Sequence, residues 1–366
     1  MKVGVSITMI NTSGKRDEDI YREELAIANM AEPLGFDSLG AVEHHFTGYA
    51  MIPNCVQLLT YMAGRTNRLT LVTTVIVLPW HDPVRVAEEM AMLDVLSEGR
   101  TIFGFGRGAA RTEYEGFRIP MEEARDRFKE TCEIVIKGLT QESFSYHGQY
   151  FNIPEIQIRP RPVSNPVERI YAAAVSPESG EMMARLGLGV FIIAQKDWDS
   201  AREDLRRYQE TTLGIGLKPR LPIVSTQVSV AESEEEAWDD ANRYQAETFK
   251  AIDTHYGHTR GALQGVKGYE FHAKMAKTYA KLTSSPEEIQ KKALQHYLNL
   301  GVVGTPKRCL EKLEYIQQRM GTDHFLFGFS HGGLPLAKAQ RSMRICAEKI
   351  LPRLKHDPAF APRMEE

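Results

Sequence analysis

The chain has 366 residues, 42% of them apolar, 25% charged and 9% aromatic, with 28 Gly and 18 Pro, a composition that excludes collagen-like, disordered and coiled-coil chains. Forty-five Lys+Arg stand against 48 Asp+Glu for a net charge of -3, which removes any whole-chain case for a nucleic-acid partner or an anionic membrane surface. A length of 366 fits one large α/β barrel or roughly two ordinary domains, with about three quarters of the unfolded surface buried in either case.

The first residues, Met1 to Ile7, enter an alternating strand-like pattern directly and lack the apolar core and small-residue cleavage site of a signal peptide. Val3–Met9 reads as a strand and Asp17–Leu34 as an amphipathic helix stopped by Gly35. Ser38–Val42 is the second strand, followed by a helix over Pro53–Arg65. Leu69–Leu78 is a Val/Thr/Ile-rich third strand of the kind buried on both faces. Pro83 opens a helix that runs through Leu96 to Gly99, with proline at the start and glycine past the end. Thr101–Phe105 is the fourth strand and Glu122–Leu139 the next long helix. Then come Arg169–Ala174 (strand), Ser176–Leu186 (helix), Val190–Ala194 (strand), Trp198–Leu213 (helix), Ile223–Val230 (strand) and Ser233–Ile252 (helix). Lys307–Arg319 (helix), Phe325–Phe329 (strand) and Leu336–Leu354 (helix) close the chain.

Eight strands alternating with helices predict a single closed TIM (β/α)8 barrel spanning 1–366, rather than two domains. The alternative, an open doubly wound sheet, finds no GxGxxG after the first strand. Two stretches break the alternation: a hairpin-like insertion at about 144–167 and a long, glycine-punctuated one at about 254–306, a length at which irregular insertions are often active-site lids. Lysines 274, 277 and 281 lie within it at helical spacing, a solvated face by default and an anion clamp if the lid closes over a ligand. Phe103, Phe105, Phe325, Phe327 and Phe329 alternate along strands as core residues. No apolar run approaches bilayer length, and Cys55, Cys132, Cys309 and Cys346 form no CxxC pair, so the expectation is a soluble cytoplasmic protein with reduced thiols.

In such a barrel the working residues sit at the carboxyl ends of the strands. Glu43-His44-His45-Phe46 follows strand two, Pro79-Trp80-His81-Asp82 strand three, Gly106-Arg107-Gly108 strand four, Ser176-Pro177-Glu178-Ser179 strand five and Ser330-His331-Gly332 strand eight. Adjacent residues of an extended chain point to opposite sides, so His44 and His45 do not share one metal ion, and no metal is expected. One of the pair faces inward as a base or donor near working pH; a purely structural pair is the competing reading. Ser176 has the place of a helix cap, where free N–H groups hold phosphates, with Ser179 and Arg107 as further donors. An ordinary capped helix beside a surface arginine explains the same residues.

These segments together resemble the bacterial luciferase-like, flavin-dependent monooxygenases over nearly the whole chain. The likeness is carried by Glu43-His44-His45-Phe46-Thr47, by Val75-Ile76-Val77-Leu78-Pro79 with His81 and Pro83-Val84-Arg85, by Ser97-Glu98-Gly99-Arg100 and by Phe103-Gly104 with Arg107-Gly108. It continues through Tyr146-His147-Gly148, Arg161-Pro162, Gly268-Tyr269-Glu270-Phe271, Val303-Gly304-Thr305-Pro306 and Gly332-Gly333-Leu334-Pro335. The resemblance implies a TIM barrel that takes reduced FMN from a separate NAD(P)H:flavin reductase and, through a flavin hydroperoxide formed with oxygen, oxygenates a small organic substrate. It implies His44 as the catalytic residue. Arg107, Ser176 and Ser179 then hold the phosphate, with Thr74, Val75 and Val175 also against the cofactor. It further implies a non-prolyl cis bond at Thr74–Val75, a lid at 254–306, and a homodimer or a heterodimer with a related chain through the helices near strands two and three. Gly106 stands where luciferase has its reactive cysteine and Ala110 where it has an aromatic. Both are expected to open space beside the flavin, pointing to a non-luminescent enzyme with a bulkier or differently shaped substrate. A deazaflavin-dependent oxidoreductase, a non-catalytic flavin-binding partner subunit, and a hydrolase or metal enzyme on the same fold are the alternatives.

Overall fold

A computed structural model describes residues 1–257, 259, 261–270, 273 and 285–364. Eight parallel strands alternate with helices: β1 Lys2–Ile7, β2 Ser38–Ala41, β3 Thr70–Thr73 with its continuation Ile76–Val77, β4 Thr101–Gly106, β5 Ile170–Ala173, β6 Gly189–Ile193, β7 Ile223–Val230 and β8 His324–Gly328. Each pairs with its successor, and β8 closes on β1 with Lys2 opposite His324 and Ser6 opposite Gly328. The sheet is therefore a closed TIM barrel, and the open-sheet alternative falls. Closure leaves no edge strand to protect, which suits strands as apolar as these.

Side chains alternate between two cores. Val72, Phe191, Ile223 and Leu326 fill the lumen, while Phe103, Phe105, Phe325, Phe327 and Phe329 turn outward into the layer against the helices. Each fully buried phenylalanine contributes about 1.5–3 kcal/mol of transfer free energy. The lumen is tight at Gly104, where a β-carbon would lie 2.3 Å from the Thr73 carbonyl oxygen and 2.5 Å from the Phe191 ring.

The third strand is not the continuous run expected from Leu69–Leu78. The Thr74–Val75 bond is cis, as the resemblance implies, and the register against β4 slips by one residue across it, from Val72 opposite Ile102 to Ile76 opposite Phe105. Leu78–Trp80 then winds into a 3-10 turn. The last helix is likewise broken, into Leu336–Ile345, a π turn at Cys346–Ile350, and Leu351–His356, where Pro352 cannot donate.

Both insertions exist. Phe144–His147 and Asn152–Ile156 pair antiparallel, and Arg161 ties the following segment to the end of the Ala124–Thr140 helix by donating to Gly138 O (2.6 Å) and Leu139 O (2.7 Å). In the second, the helix expected to end at Ile252 runs to Tyr256, Pro286–Leu300 is helical, and Val302–Gly304 adds a short strand beside the end of β7. Lysines 274, 277 and 281 and Phe271 lie outside the described residues. Among the described residues no helix is long and apolar enough to cross a membrane. The four cysteines are free and buried.

Candidate active site

The carboxyl ends of β2 to β6 surround one cleft of about 140 Å³, or about 920 Å³ with its solvent-open mouth counted. His44, Thr74, Val75, Arg107, Val175, Ser176 and Ser179 all line it. Residues from four separate strand ends thus meet on one surface, because a parallel barrel points every strand end the same way.

The two histidines divide as extended chain requires. His45 turns away into the protein, its Nε2 3.1 Å from Glu43 Oε1 and its ring edge-on to Trp80 and Phe117. Glu43 is 2% exposed and also accepts from His81 Nε2 (2.7 Å) and Val77 N–H (3.1 Å). Burial pushes the Glu43 carboxyl up, but the bonds from His45 and His81 outweigh it and hold the group below its ordinary value. That ionised carboxylate clamps the end of β2 to the strand continuation at Val77.

His44 faces the cleft. Its Nδ1 donates to Glu113 Oε1 (3.0 Å), which also accepts from the backbone N–H of His45 (2.8 Å). Burial pushes Glu113 up, yet its contacts with His255 and His44 bring it down to about 2, so it is a carboxylate throughout the physiological range. With Glu113 charged, the His44 proton sits on Nδ1 and leaves Nε2 as the acceptor, 3.2 Å from the Tyr256 hydroxyl. Burial lowers the His44 pKa against the opposing pull of Glu113, so the ring is neutral near pH 7. Tyr49, His255 and Tyr256 surround it with ring centroids 4.8, 5.1 and 5.7 Å away.

Opposite lies the cationic end. Arg107 Nη1 donates to Gly268 O (2.7 Å) and its guanidinium sits 4.2 Å over the Tyr269 ring, so the second insertion docks on the β4 loop. Tyr269 OH donates to Gly108 O (2.7 Å). Arg125 reaches the same Gly268 carbonyl (3.4 Å), and its Nε is buried without a partner. Ser176 caps the Pro177–Arg185 helix, accepting from Ser179 N–H, and the two serine hydroxyls lie 2.9 Å apart. Lys196 donates to Val175 O (2.9 Å) and pairs with Asp204, which fixes the loop before the cap. Thr74 Oγ1 is buried and unpartnered.

One expectation is corrected. A β-carbon on Gly106 would lie 2.2 Å from Val75 Cγ2, and Ala110 is fully buried at the start of the Arg111–Phe117 helix. Val75 takes the place that a side chain on Gly106 would fill, and Ala110 is not among the residues that line the cleft.

Glu113, His255, Tyr256 and Arg125 escaped the sequence reading. Glu113 lies on the Arg111–Phe117 helix, which no capping residue announces, since Ala110 precedes it. Tyr256 lies on a helix whose end was set four residues short. The spacing of Arg107-Gly108 and Arg111 through Tyr114 offered the only local hint of a helix start.

A family model described as luciferase-like monooxygenase matches residues 1–324. The chain is 23% identical over 359 residues to the alkanal monooxygenase alpha chain of the Kryptophanaron alfredi symbiont, covering 97% of this chain and 99% of that one. It is also 32% identical over 178 residues to an uncharacterised protein of Sinorhizobium fredii, of which it spans 51%. Among solved structures, the monooxygenase RslO1 of Streptomyces bottropensis superposes with a TM-score of 0.81 at 27% identity, over 96% of this chain and 99% of that one. The oxygenating constituent of 3,6-diketocamphane monooxygenase from Pseudomonas putida, a type II Baeyer-Villiger monooxygenase in complex with FMN, gives 0.76 at 20%, with the same coverage. An F420-dependent secondary alcohol dehydrogenase shares the fold at 0.69 and 15%, over 98% of this chain and 99% of that one.

Proposed function

The chain belongs to the luciferase-like monooxygenase family, and from that premise we propose that it is a two-component, FMN-dependent monooxygenase. Reduced FMN arrives from a separate NAD(P)H:flavin reductase in the cytoplasm, and one oxygen atom goes to a small organic substrate. The observation that carries this reading is the polarity of the cleft. A cationic end built from Arg107 and the Ser176–Ser179 helix start, with Arg125 behind them on the same Gly268 carbonyl as Arg107, faces a neutral, carboxylate-held imidazole at the other end.

The residues fit a flavin phosphate and ring. Arg125 Nε and Thr74 Oγ1 are buried donors with no partner in the protein, and the Ser176 and Ser179 hydroxyls stand at a helix start with a favourable dipole. Arg107, Ser176 and Ser179 take the phosphate; Thr74, Val75 and Val175 lie against the cofactor. Bound reduced flavin supplies the electrons that activate molecular oxygen. His44, held by Glu113, takes or returns a proton at Nε2, and Tyr256 extends that path by its hydroxyl. Tyr269 and the docked insertion exclude water from the reacting face.

Two further readings rest on specific observations. F420 enzymes share the fold, so a deazaflavin is the competing cofactor. His44, Glu113 and His255 place three donor atoms within 4.8 Å of one another, a geometry open to a metal ion. Metal analysis of the purified protein separates the latter: stoichiometric zinc or iron contradicts the flavin reading. For the flavin reading itself, His44→Ala is expected to abolish product formation in an assay reconstituted with reductase, FMN and NADH while leaving FMN binding intact. Undiminished turnover in that variant removes His44 from the catalytic role, whereas FMN binding without any turnover by the wild-type chain makes it a non-catalytic flavin-binding subunit.

A further inference from the structure

A second cavity of about 150 Å³, or about 890 Å³ with its open mouth, adjoins the first, from which it is separated by Ile193, Gln195 and Tyr256. It lies between the ends of β6 and β7 and the helices Ala246–Tyr256 and Pro286–Leu300. Tyr49, Phe249, Tyr256 and Tyr297 give it aromatic walls. No Lys, Arg, Asp or Glu is among its described lining residues. The one titratable group near neutrality, His296, has its pKa lowered by burial and so stays uncharged.

Two buried hydroxyls of its lining residues have no partner in the protein: Thr226 Oγ1 and Tyr297 OH. Thr226 is 3% exposed. The neighbouring Gln227 turns to the other face of β7, its Oε1 against Gly328. A buried hydroxyl left unpaired costs about 1–3 kcal/mol, so two beside one small cavity call for a ligand that bonds to them. Tyr297 donates and Thr226 does either. Tyr256 touches both cavities and reaches His44 Nε2, which links this space to the proton-transfer group.

We propose that this cavity binds the molecule to be oxygenated, and that it selects a neutral compound about one ring in size, carrying a hydrogen-bond acceptor. The ring fills the aromatic walls. Its acceptor takes the Tyr297 or Thr226 hydroxyl. A cavity near 150 Å³ accommodates a benzene-sized ring. A carboxylate or sulfonate is rejected, because no cation in the described wall repays its desolvation. The assignment rests on the flavin reading only for why a substrate enters here; the size and charge selection stand on the cavity alone.

Benzamide and benzoate test it as a pair of equal shape that differ in charge and in donor capacity. Ligand-observed NMR on the flavin-free protein is expected to show benzamide binding and benzoate at least about tenfold weaker. Thr226→Val removes one hydroxyl without changing shape and is expected to weaken benzamide about tenfold. Ala293→Phe, which fills the cavity floor, is expected to abolish binding. Benzoate binding as well as benzamide, no binding of either, or benzamide binding untouched by both substitutions overturns the proposal. Reduced FMN is titrated into the same three proteins as a separate arm. Its failure with wild type sinks the flavin reading while the benzamide pattern still stands, and the converse isolates failure of the cavity.

Discussion

At the scale of single residues, the site turns on which atom of His44 carries the proton. Glu113 decides it, and Glu113→Gln therefore does more than delete a charge. The carboxylate raises the His44 pKa against the effect of burial, so its removal drives that pKa further down. The acid limb of the kcat/KM profile is expected to move to lower pH, with kcat reduced about ten- to a hundredfold as the imidazole loses its fixed tautomer. Glu113→Asp restores the limb in part; a profile unchanged in Glu113→Gln shows that the carboxylate only packs. At the other end of the cleft, Arg107→Ala is expected to weaken reduced FMN about ten- to a hundredfold, the range of a lost charge-assisted bond, with Arg107→Lys intermediate. Fluorescence titration reads both. The histidine pair was legible because strand alternation sends neighbours to opposite faces, and the motif around it marked His44. Glu113 was not, because a glutamate in a polar run (Arg111-Thr112-Glu113-Tyr114) looks like solvated surface until the fold buries it.

Among the elements, helices and strands with strong periodicity or marked ends were legible to within three residues. Asn54, Asp82, Ser176 and Ser233 cap the helices they precede, each through a side-chain oxygen on a first-turn N–H. The Arg111–Phe117 helix has no such cap and was missed. The break in the third strand was invisible to periodicity, since Thr74 and Val75 are as β-favouring as their neighbours; only the resemblance pointed to a cis bond there. Space around Gly106 was misjudged because composition cannot say that a neighbouring valine fills the gap. Ser176→Ala tests the cap: it is expected to cost about 1 kcal/mol of stability in urea unfolding. If it also binds the phosphate, reduced FMN affinity falls in the same variant. Gly104→Ala is expected to be worse, because its β-carbon has only a backbone carbonyl and a packed ring to meet. Well-folded Gly104→Ala of wild-type stability contradicts the lumen packing described above.

For the whole molecule, burial sets the pH range of stability. His324 and His331 are buried neutral, with burial lowering them to about 3 and about 4, whereas burial raises Glu24 to about 7. Below pH 6.5 the unfolded chain takes up protons at both histidines that the folded one refuses, so their contribution is lost as pH falls. Glu24 acts oppositely: its protonated form favours the fold below pH 4.5, and that contribution is lost as pH rises toward 7. Two histidines outweigh one carboxyl, so stability is expected to fall from pH 6.5 to 4.5 by on the order of 1.4 kcal/mol per unit. Replacing both with Gln should remove most of that fall, measured by urea unfolding at pH 7 and 5. Tyr61, Met92, Val95 and Leu96 lie exposed on the Cys55–Ala63 and Pro83–Leu96 helices, where the resemblance puts a dimer contact. Light scattering should find a dimer that Met92→Lys with Leu96→Lys dissociates. The barrel was legible as a whole because eight apolar strands alternate with helices and no GxGxxG follows the first, whereas the second cavity was not, since its walls come from five distant segments. The central claim, that this cleft is built for reduced FMN, is tested most directly by anaerobic titration with reduced FMN and with reduced F420. Saturable, tight binding of reduced FMN with no comparable binding of F420 is the predicted result; tight F420 binding with FMN left free contradicts it.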